Sequence, residues 1–450
     1  MERDFSMGSV PRTILRLSGP MIGAQVVNVT YSVVDRVYLG RMPEIGGAAL
    51  AGVGLTFPIL TLISAFAALA GEGGAPLLSI ARGAGDRQGA EKLMSNSLIL
   101  VLLFGILLTA FGHALMNPLL RAFGASEGTF GYASEYLRIY LSGSILVMLV
   151  TGMCPYIGAM GDARRAMAAI LTGATANIAL DPILIYALGL GVRGAAWATV
   201  ISQGLSAGYA LRYLAGGRGG LRLRLARPDR KTLSRICALG LSSFTMKVTE
   251  SAVQIVCNAQ LSRYGGDLYV TVMAAMNSIR QVILMVFSGL SQGASPVIGY
   301  NYGAGLYSRV RKAVGFLTAA CAGYAAIAWA AAMAFPEALL RAFNGEAGVL
   351  AAGIPSVRIY FSLFFFLSLQ MAGQHGFVAL GKARQAIGFS LLRKAAIVIP
   401  LAMTLPHRYG ARGVFLAEPI SDLIGSAACF ATFYLTVWRR ELRAPDAPRA

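Results

Sequence analysis

PLLSIARGAG occupies residues 76–85, and PVIGYNYGAG occupies residues 296–305. Proline falls on proline and GAG on GAG at a shift of 220 residues. GDARRA (161–166) and GKARQA (381–386) repeat at the same shift. GVRGAAWATVISQ (191–203) and GARGVFLAEPISD (410–422) agree at six of thirteen positions at a shift of 219. Three collinear matches at nearly one shift mark an internal duplication.

The surroundings of these matches decide what is duplicated. Of the 450 residues, 56% are apolar and only 13% are charged, against about 25% charged in an ordinary soluble domain. A soluble chain of this length has too little interior for so much apolar surface. That excludes a soluble enzyme, a disordered chain and a disulfide scaffold. Twelve apolar runs are long enough to span a bilayer, which takes about 20 residues each. They lie near 13–39, 47–71, 92–112, 132–157, 163–188, 192–214, 233–262, 268–298, 310–334, 352–380, 384–405 and 411–438. Each repeat holds six, and an even number returns the second copy to the orientation of the first, so the repeats are parallel. The expected fold is an all-α polytopic membrane protein with twelve transmembrane helices in two parallel-repeat six-helix bundles. The first bundle spans 1–215, the second spans 232–450 with a short tail, and the basic segment 216–231 links them. Pro20, Pro58, Pro155, Pro182, Pro296 and Pro419 lie inside runs and predict kinks.

Charge sets the orientation. The 39 Lys and Arg exceed the 20 Asp and Glu, giving a net charge of +19. These charges lie between apolar runs, so they read as loop charges and not as a nucleic-acid surface. With the N-terminus inside, 25 basic residues fall on the cytoplasmic side. Seven fall outside: Arg41, Arg121, Arg193, Arg263, Arg341, Arg408 and Arg412. Both termini and the linker are therefore expected in the cytoplasm. The N-terminus has no cleavable-signal pattern. The five Cys form no CxxC pair and the three His no metal-binding spacing. No cofactor and no structural metal are expected.

A charge in the bilayer core costs roughly 2.5–3.5 kcal/mol on insertion scales, so intramembrane carboxylates are the first functional candidates. Asp35 lies near the end of the first run. Asn177 and Asp181 share one face of the fifth, four residues apart, and Thr199 lies on the sixth. Counted from the outer ends of their runs, Asp35, Asp181 and Thr199 lie five to eight residues deep and Asn177 twelve. At about 1.5 Å per residue, all four belong to the outer part of the membrane. Two carboxylates, an amide and a hydroxyl suit a hard cation or a shared proton. The competing reading pairs Asp35 with Arg36 and makes Asp181 a companion of the Pro182 kink. The second repeat carries Glu250 on run seven, Gln370 and Gln374 on run ten, and Glu418 and Asp422 on run twelve. Glu418 stands opposite Thr199 in the repeat alignment. Lys247, Arg280, Arg393 and Lys394 lie in the same runs, so these acids form either a second polar site or an internal salt-bridge network.

VVDRVYLG (33–40), AGVGLTFPI (51–59), GAGDRQGAEKL (83–93), NIALDPILIY (177–186) with GVRGAAWATVISQ (191–203), QGASPVIGYNYGAG (292–305) and GVFLAEPISD (413–422) together resemble the MATE (multidrug and toxin extrusion) family, in its MepA-like bacterial branch. The resemblance covers about residues 10–440. It implies a monomeric antiporter of the bacterial inner membrane, not an enzyme. Such a protein exchanges Na⁺ or H⁺ for small, lipophilic, often cationic organic compounds while surrounded by membrane lipid. It also implies a cation-coupling site at Asp35, Asn177, Asp181 and Thr199, with Na⁺ there as the one metal expected, and a helix bend at Pro20. In another branch a second-lobe acid pair carries the coupling. Glu250 fits its seventh-helix member, but run ten has Gln370, Gln374 and His375 and no carboxylate. The alternative function is a flippase for a lipid-linked glycan. A membrane enzyme would need clustered acids or histidines at one membrane face, and a channel a filter motif, and neither is present.

Overall fold

In the computed structural model the described residues are 4–42, 45–217, 219–224, 227–343 and 345–447. Residues 218, 225 and 226 of the linker and 448–450 of the tail lie outside them. Among the described residues all regular structure is helical. The first repeat runs through Val10–Gly40, Gly46–Gly54 with Phe57–Gly83, Arg87–Ala122, Glu127–Ser142 with Ser144–Ala159, Ala163–Pro182 with Ile183–Ala187, and Gly191–Ala215. The second opens with the 74-residue stretch Arg230–Gly303, which is two helices, because Gly266 at φ 68° and ψ −170° breaks it. Tyr307–Ala334, Ala347–Tyr360 with Leu367–Ala379, Ala383–Leu391 continued through Leu392–Val398 and Ile399–Thr404, and Ala411–Phe433 with Tyr434–Glu441 complete it. The chain is a multi-pass membrane protein, and among the described residues its helices fall into the expected twelve segments.

Seven of these helices are long and apolar enough alone to cross a membrane, or nine when two bent pairs are included. The break at Gly266 makes one more. Val10–Gly40 and Gly191–Ala215 have the length, at 31 and 25 residues, but their polar residues dilute the apolar signal.

The duplication is written into the backbone. Each matched motif carries a glycine with positive φ at the equivalent place: Gly85 and Gly305, Gly161 and Gly381, Gly191 and Gly410. Only glycine takes that conformation without a steric cost, so these turns hold the repeat in register. The bends repeat too. Glu127–Ser142 meets Ser144–Ala159 at 56°, and 220 residues on, Ala347–Tyr360 meets Phe364–Ala379 at 47°.

The chain forms two compact units, and their boundaries cut through helices. One unit comprises 1–4 and 23–244, the other 5–22 and 245–450. The first helix is divided two residues beyond Pro20, which lies inside it. Proline has no N–H for residue 16's carbonyl and its ring crowds that turn, so the helix is weakest there.

Within the first unit, the linker is fastened to the third span. The Glu91 carboxylate accepts from the Arg222 backbone N–H (3.0 Å), Asn96 Oδ1 accepts from the Asp229 N–H (2.8 Å), and Lys92 pairs with Asp229 at 3.0 Å. Hydrogen bonds from the Thr232 hydroxyl and from Lys92 hold the Asp229 carboxyl down at about 2, below its ordinary 3.8. Within the second unit, Asp446 of the tail accepts from the Ser308 N–H at 2.7 Å. It caps the helix Tyr307–Ala334, whose own N-cap residue, Leu306, has no side-chain acceptor.

Candidate functional site

In the first unit, Asp181 ends the helix Ala163–Pro182. Pro182 withholds an N–H from the carbonyl one turn earlier, and the chain continues as the π-helical turn Ile183–Ala187. Asn177, one turn before Asp181, points the same way, and its Nδ2 donates to Asp181 Oδ1 at 3.2 Å. Both residues are buried. Asp181 Oδ2, Asn177 Oδ1 and Asp35 Oδ1 are enclosed and have no hydrogen-bond partner among the described residues. Asp35 is close enough to Asp181 for their charges to interact. Arg36 makes no ion pair with Asp35 among the described residues. Its guanidinium lies over the Phe57 ring, 4.7 Å from the centroid. Thr199 donates to the Ala195 carbonyl at 3.1 Å and sits beside the buried Tyr136, which also faces Asp35.

Asp35, Asn177, Asp181 and Thr199 therefore come from three spans, and Tyr136 of a fourth lies beside Thr199. Tyr136 was not singled out from the sequence. Its signal was there: Tyr132, Tyr136 and Tyr140 recur every four residues, on one helix face. Tyr136 and Tyr140 stack at 6.1 Å. What the group offers is oxygen: two carboxylates, an amide and a hydroxyl, in an enclosed place with no cation of the chain at ion-pair distance among the described residues. Glu135, nearby in sequence, has a separate surface role and pairs with Arg193 at 2.7 Å.

The second unit handles its acids differently. Glu418 Oε1 meets Arg280 Nη1 at 2.6 Å and Lys394 Nζ at 2.6 Å. Lys394 also meets Glu250 Oε2 at 3.0 Å. Arg393 meets Asp422 Oδ1 at 2.7 Å, and Arg280 donates to the Tyr360 hydroxyl at 3.0 Å. Glu418 and Asp422 share a face of Ala411–Phe433. Arg393 and Lys394 are adjacent yet both reach that face, because Leu392–Val398 is wound as a π-helix. Its wider turn brings consecutive side chains closer in direction than an α-helix does. Three acids thus interlock with three bases. Gln370 and Gln374 are buried, and Gln374 Nε2 donates to the Ala386 carbonyl at 2.7 Å. Among the described residues, no group of three or more His, Cys, Asp or Glu side chains is arranged for a metal.

The MatE family model matches residues 20–183 and again residues 243–404, one copy for each repeat. The chain belongs to the MatE family. MatE proteins are transporters and not enzymes. The multidrug export protein MepA of Staphylococcus haemolyticus is 24% identical over 97% of this chain and 96% of its own length. A crystal structure of MATE in the bent conformation superposes with a TM-score of 0.90 at 26% identity, covering 97% of both chains. The outward-facing form of a multidrug resistance MATE family transporter of the MOP superfamily gives 0.90 at 25% identity, over 97% of this chain and 98% of that one.

Proposed function

We propose that this MatE protein is a secondary active exporter that exchanges Na⁺ or H⁺ for lipophilic organic cations by alternating access. The observation that carries the reading is the first-unit group itself. Asp181, Asn177 and Asp35 enclose carboxylate and amide oxygens with no partner among the described residues. Leaving such groups unsatisfied in a low-dielectric interior costs several kcal/mol. A proton or a small hard cation supplies what they lack. Asp35 and Asp181 repel when both are ionised, and the arriving ion relieves that repulsion. Thr199 and Asn177 add neutral oxygens.

An ion shifts a conformational equilibrium only through different affinities for the two states. Residues from three spans meet at this group, so its occupancy is felt wherever those spans move. Relatives named for multidrug export support drugs as the cargo. Flat apolar cations suit the Met- and aromatic-containing spans, through dispersion and one charge contact. The basic-residue asymmetry supports cytoplasmic termini, and the proposal places the chain in a bacterial inner membrane as a monomer.

The test is efflux of a lipophilic cationic dye from vesicles holding the purified chain, driven separately by a Na⁺ or a pH gradient. One gradient drives efflux, and Asp181→Asn abolishes it while leaving the chain folded and inserted. Normal pumping by Asp181→Asn, together with a dead Glu250→Gln, would place coupling in the second unit.

A further inference from the structure

The second unit's network has one member unlike the rest. The side chains of Lys394 and Glu418 are each 5% exposed, whereas that of Glu250 is 48% exposed. Lys394 therefore bridges a buried carboxylate and a half-open one. Around the bridge lies a cavity of about 20 Å³, room for one water-sized occupant. Glu250, Gln254, Asn277, Tyr360, Glu418 and Lys394 supply its polar lining.

Without Lys394, that lining is a set of oxygen donors: two carboxylates, two amides and a phenol. This is the ligand chemistry of a hard cation. The charge balance agrees. Glu418 retains Arg280 at 2.6 Å, so removing the ammonium leaves Glu250, Glu418 and Arg280 with one uncompensated negative charge. A single monovalent cation cancels it. The ammonium has that charge and sits 2.6 and 3.0 Å from the two carboxylates.

We propose that this cavity is a monovalent-cation site whose resident cation is the chain's own Lys394 ammonium, so that an external cation enters only when Lys394 is displaced. The tether makes the resident hard to displace, because its effective concentration at the site far exceeds that of a free ion. The second unit is thereby closed to ions in solution, while the first unit's carboxylates stay available. The assignment does not depend on which ion the first unit uses.

The experiment compares thermal unfolding of the full chain in detergent, in NaCl and in equal choline chloride. Lys394→Met keeps the length and apolar stem and removes the charge. It gains a saturable, Na⁺-specific rise in Tm of several degrees beyond that of the native protein, as binding to the folded state alone requires. Lys394→Met with Glu250→Gln loses the gain. Lys394→Met with Asp181→Asn keeps it, which separates this site from first-unit coupling. A folded Lys394→Met with no added Na⁺ response overturns the proposal. Should Lys394→Met not fold, Lys394→Gln carries the same test, and failure of both to fold makes Lys394 a structural counter-ion and ends the site assignment.

Discussion

The two units descend from one repeat, yet they treat buried charge in opposite ways. In the first, Asp35 and Asp181 stand among neutral oxygens, with no cation of the chain at ion-pair distance among the described residues. In the second, Glu250, Glu418 and Asp422 are bonded to Arg280, Arg393 and Lys394 at 2.6–3.0 Å. The divergence is visible position by position. Thr199 of the first repeat stands opposite Glu418, while Gly173 and Ala174 stand opposite Arg393 and Lys394. Where the first repeat has glycine and alanine, the second has grown two long cations, and its acids found partners within the chain. A polar group closed by internal counter-ions stabilises one packing. A group without them is, in the function proposed above, the one that takes an ion from outside and so responds to a gradient.

Breaking one carboxylate in each unit tests this contrast with the largest expected effects. Asp181→Asn should reduce gradient-driven efflux to background. It should not lower Tm, because no cation of the chain loses a partner. Glu418→Gln should do the reverse in stability. It strands Arg280 and Lys394 against a neutral amide, a loss of about 3 kcal/mol for a buried pair, read as a Tm lower by several degrees. Equal Tm losses for the two variants would erase the distinction between the units.

Two milder variants sharpen the first unit's side. Asp35→Asn removes the second carboxylate and should cut efflux by about tenfold, since Asp181 still offers a charge. Thr199→Ala removes one neutral oxygen worth about 1 kcal/mol, so coupling should weaken by about fivefold or less. A larger effect for Thr199→Ala than for Asp35→Asn would mean that the hydroxyl, and not the acid, organises the group.

The smallest effect concerns how each unit fastens its loose ends. Asp229 holds the linker, and its carboxyl is kept at about 2 in the folded chain against an ordinary 3.8. A depressed acid contributes its stability in full above the ordinary value and loses it as pH falls from there towards about 2. Pepsin cleavage within 216–231 should therefore increase as pH drops below about 4. Asp229→Asn should show faster cleavage with little pH response. The second unit fastens its tail through Asp446 on the Ser308 N–H, and Asp446→Asn should leave linker cleavage unchanged.

Much of this was legible in the residues. The duplication and the twelve segments followed from motifs and apolar run lengths, both of them local signals, whereas the bends between Ser142 and Ser144 and between Tyr360 and Phe364 fall at none of the prolines expected to kink the spans. The group at Asp35, Asn177, Asp181 and Thr199 was legible because a carboxylate in an apolar run is conspicuous, and because a spacing of four fixes a shared helix face. Tyr136 was overlooked because tyrosines in spans are common, and only packing shows which one lies beside Thr199. For the second repeat, the residues left two readings open, a polar site or a salt-bridge network. The ion pairs between Arg280, Lys394, Glu250 and Glu418 join four helices over sequence separations of 24 to 144 residues.

The sequence by itself determined the membrane class, the repeat and the set of buried charges, because hydrophobic run length and periodicity act along the chain. Only the tertiary structure decided which of those charges are paired. Pairing depends on side-chain direction and on distances of a few ångströms between helices. One π-helical turn at Leu392–Val398 aims two adjacent cations at Glu418 and Asp422. In the first repeat, the glycine and alanine at the matching positions leave Asp181 with only the Asn177 amide as hydrogen-bond partner among the described residues.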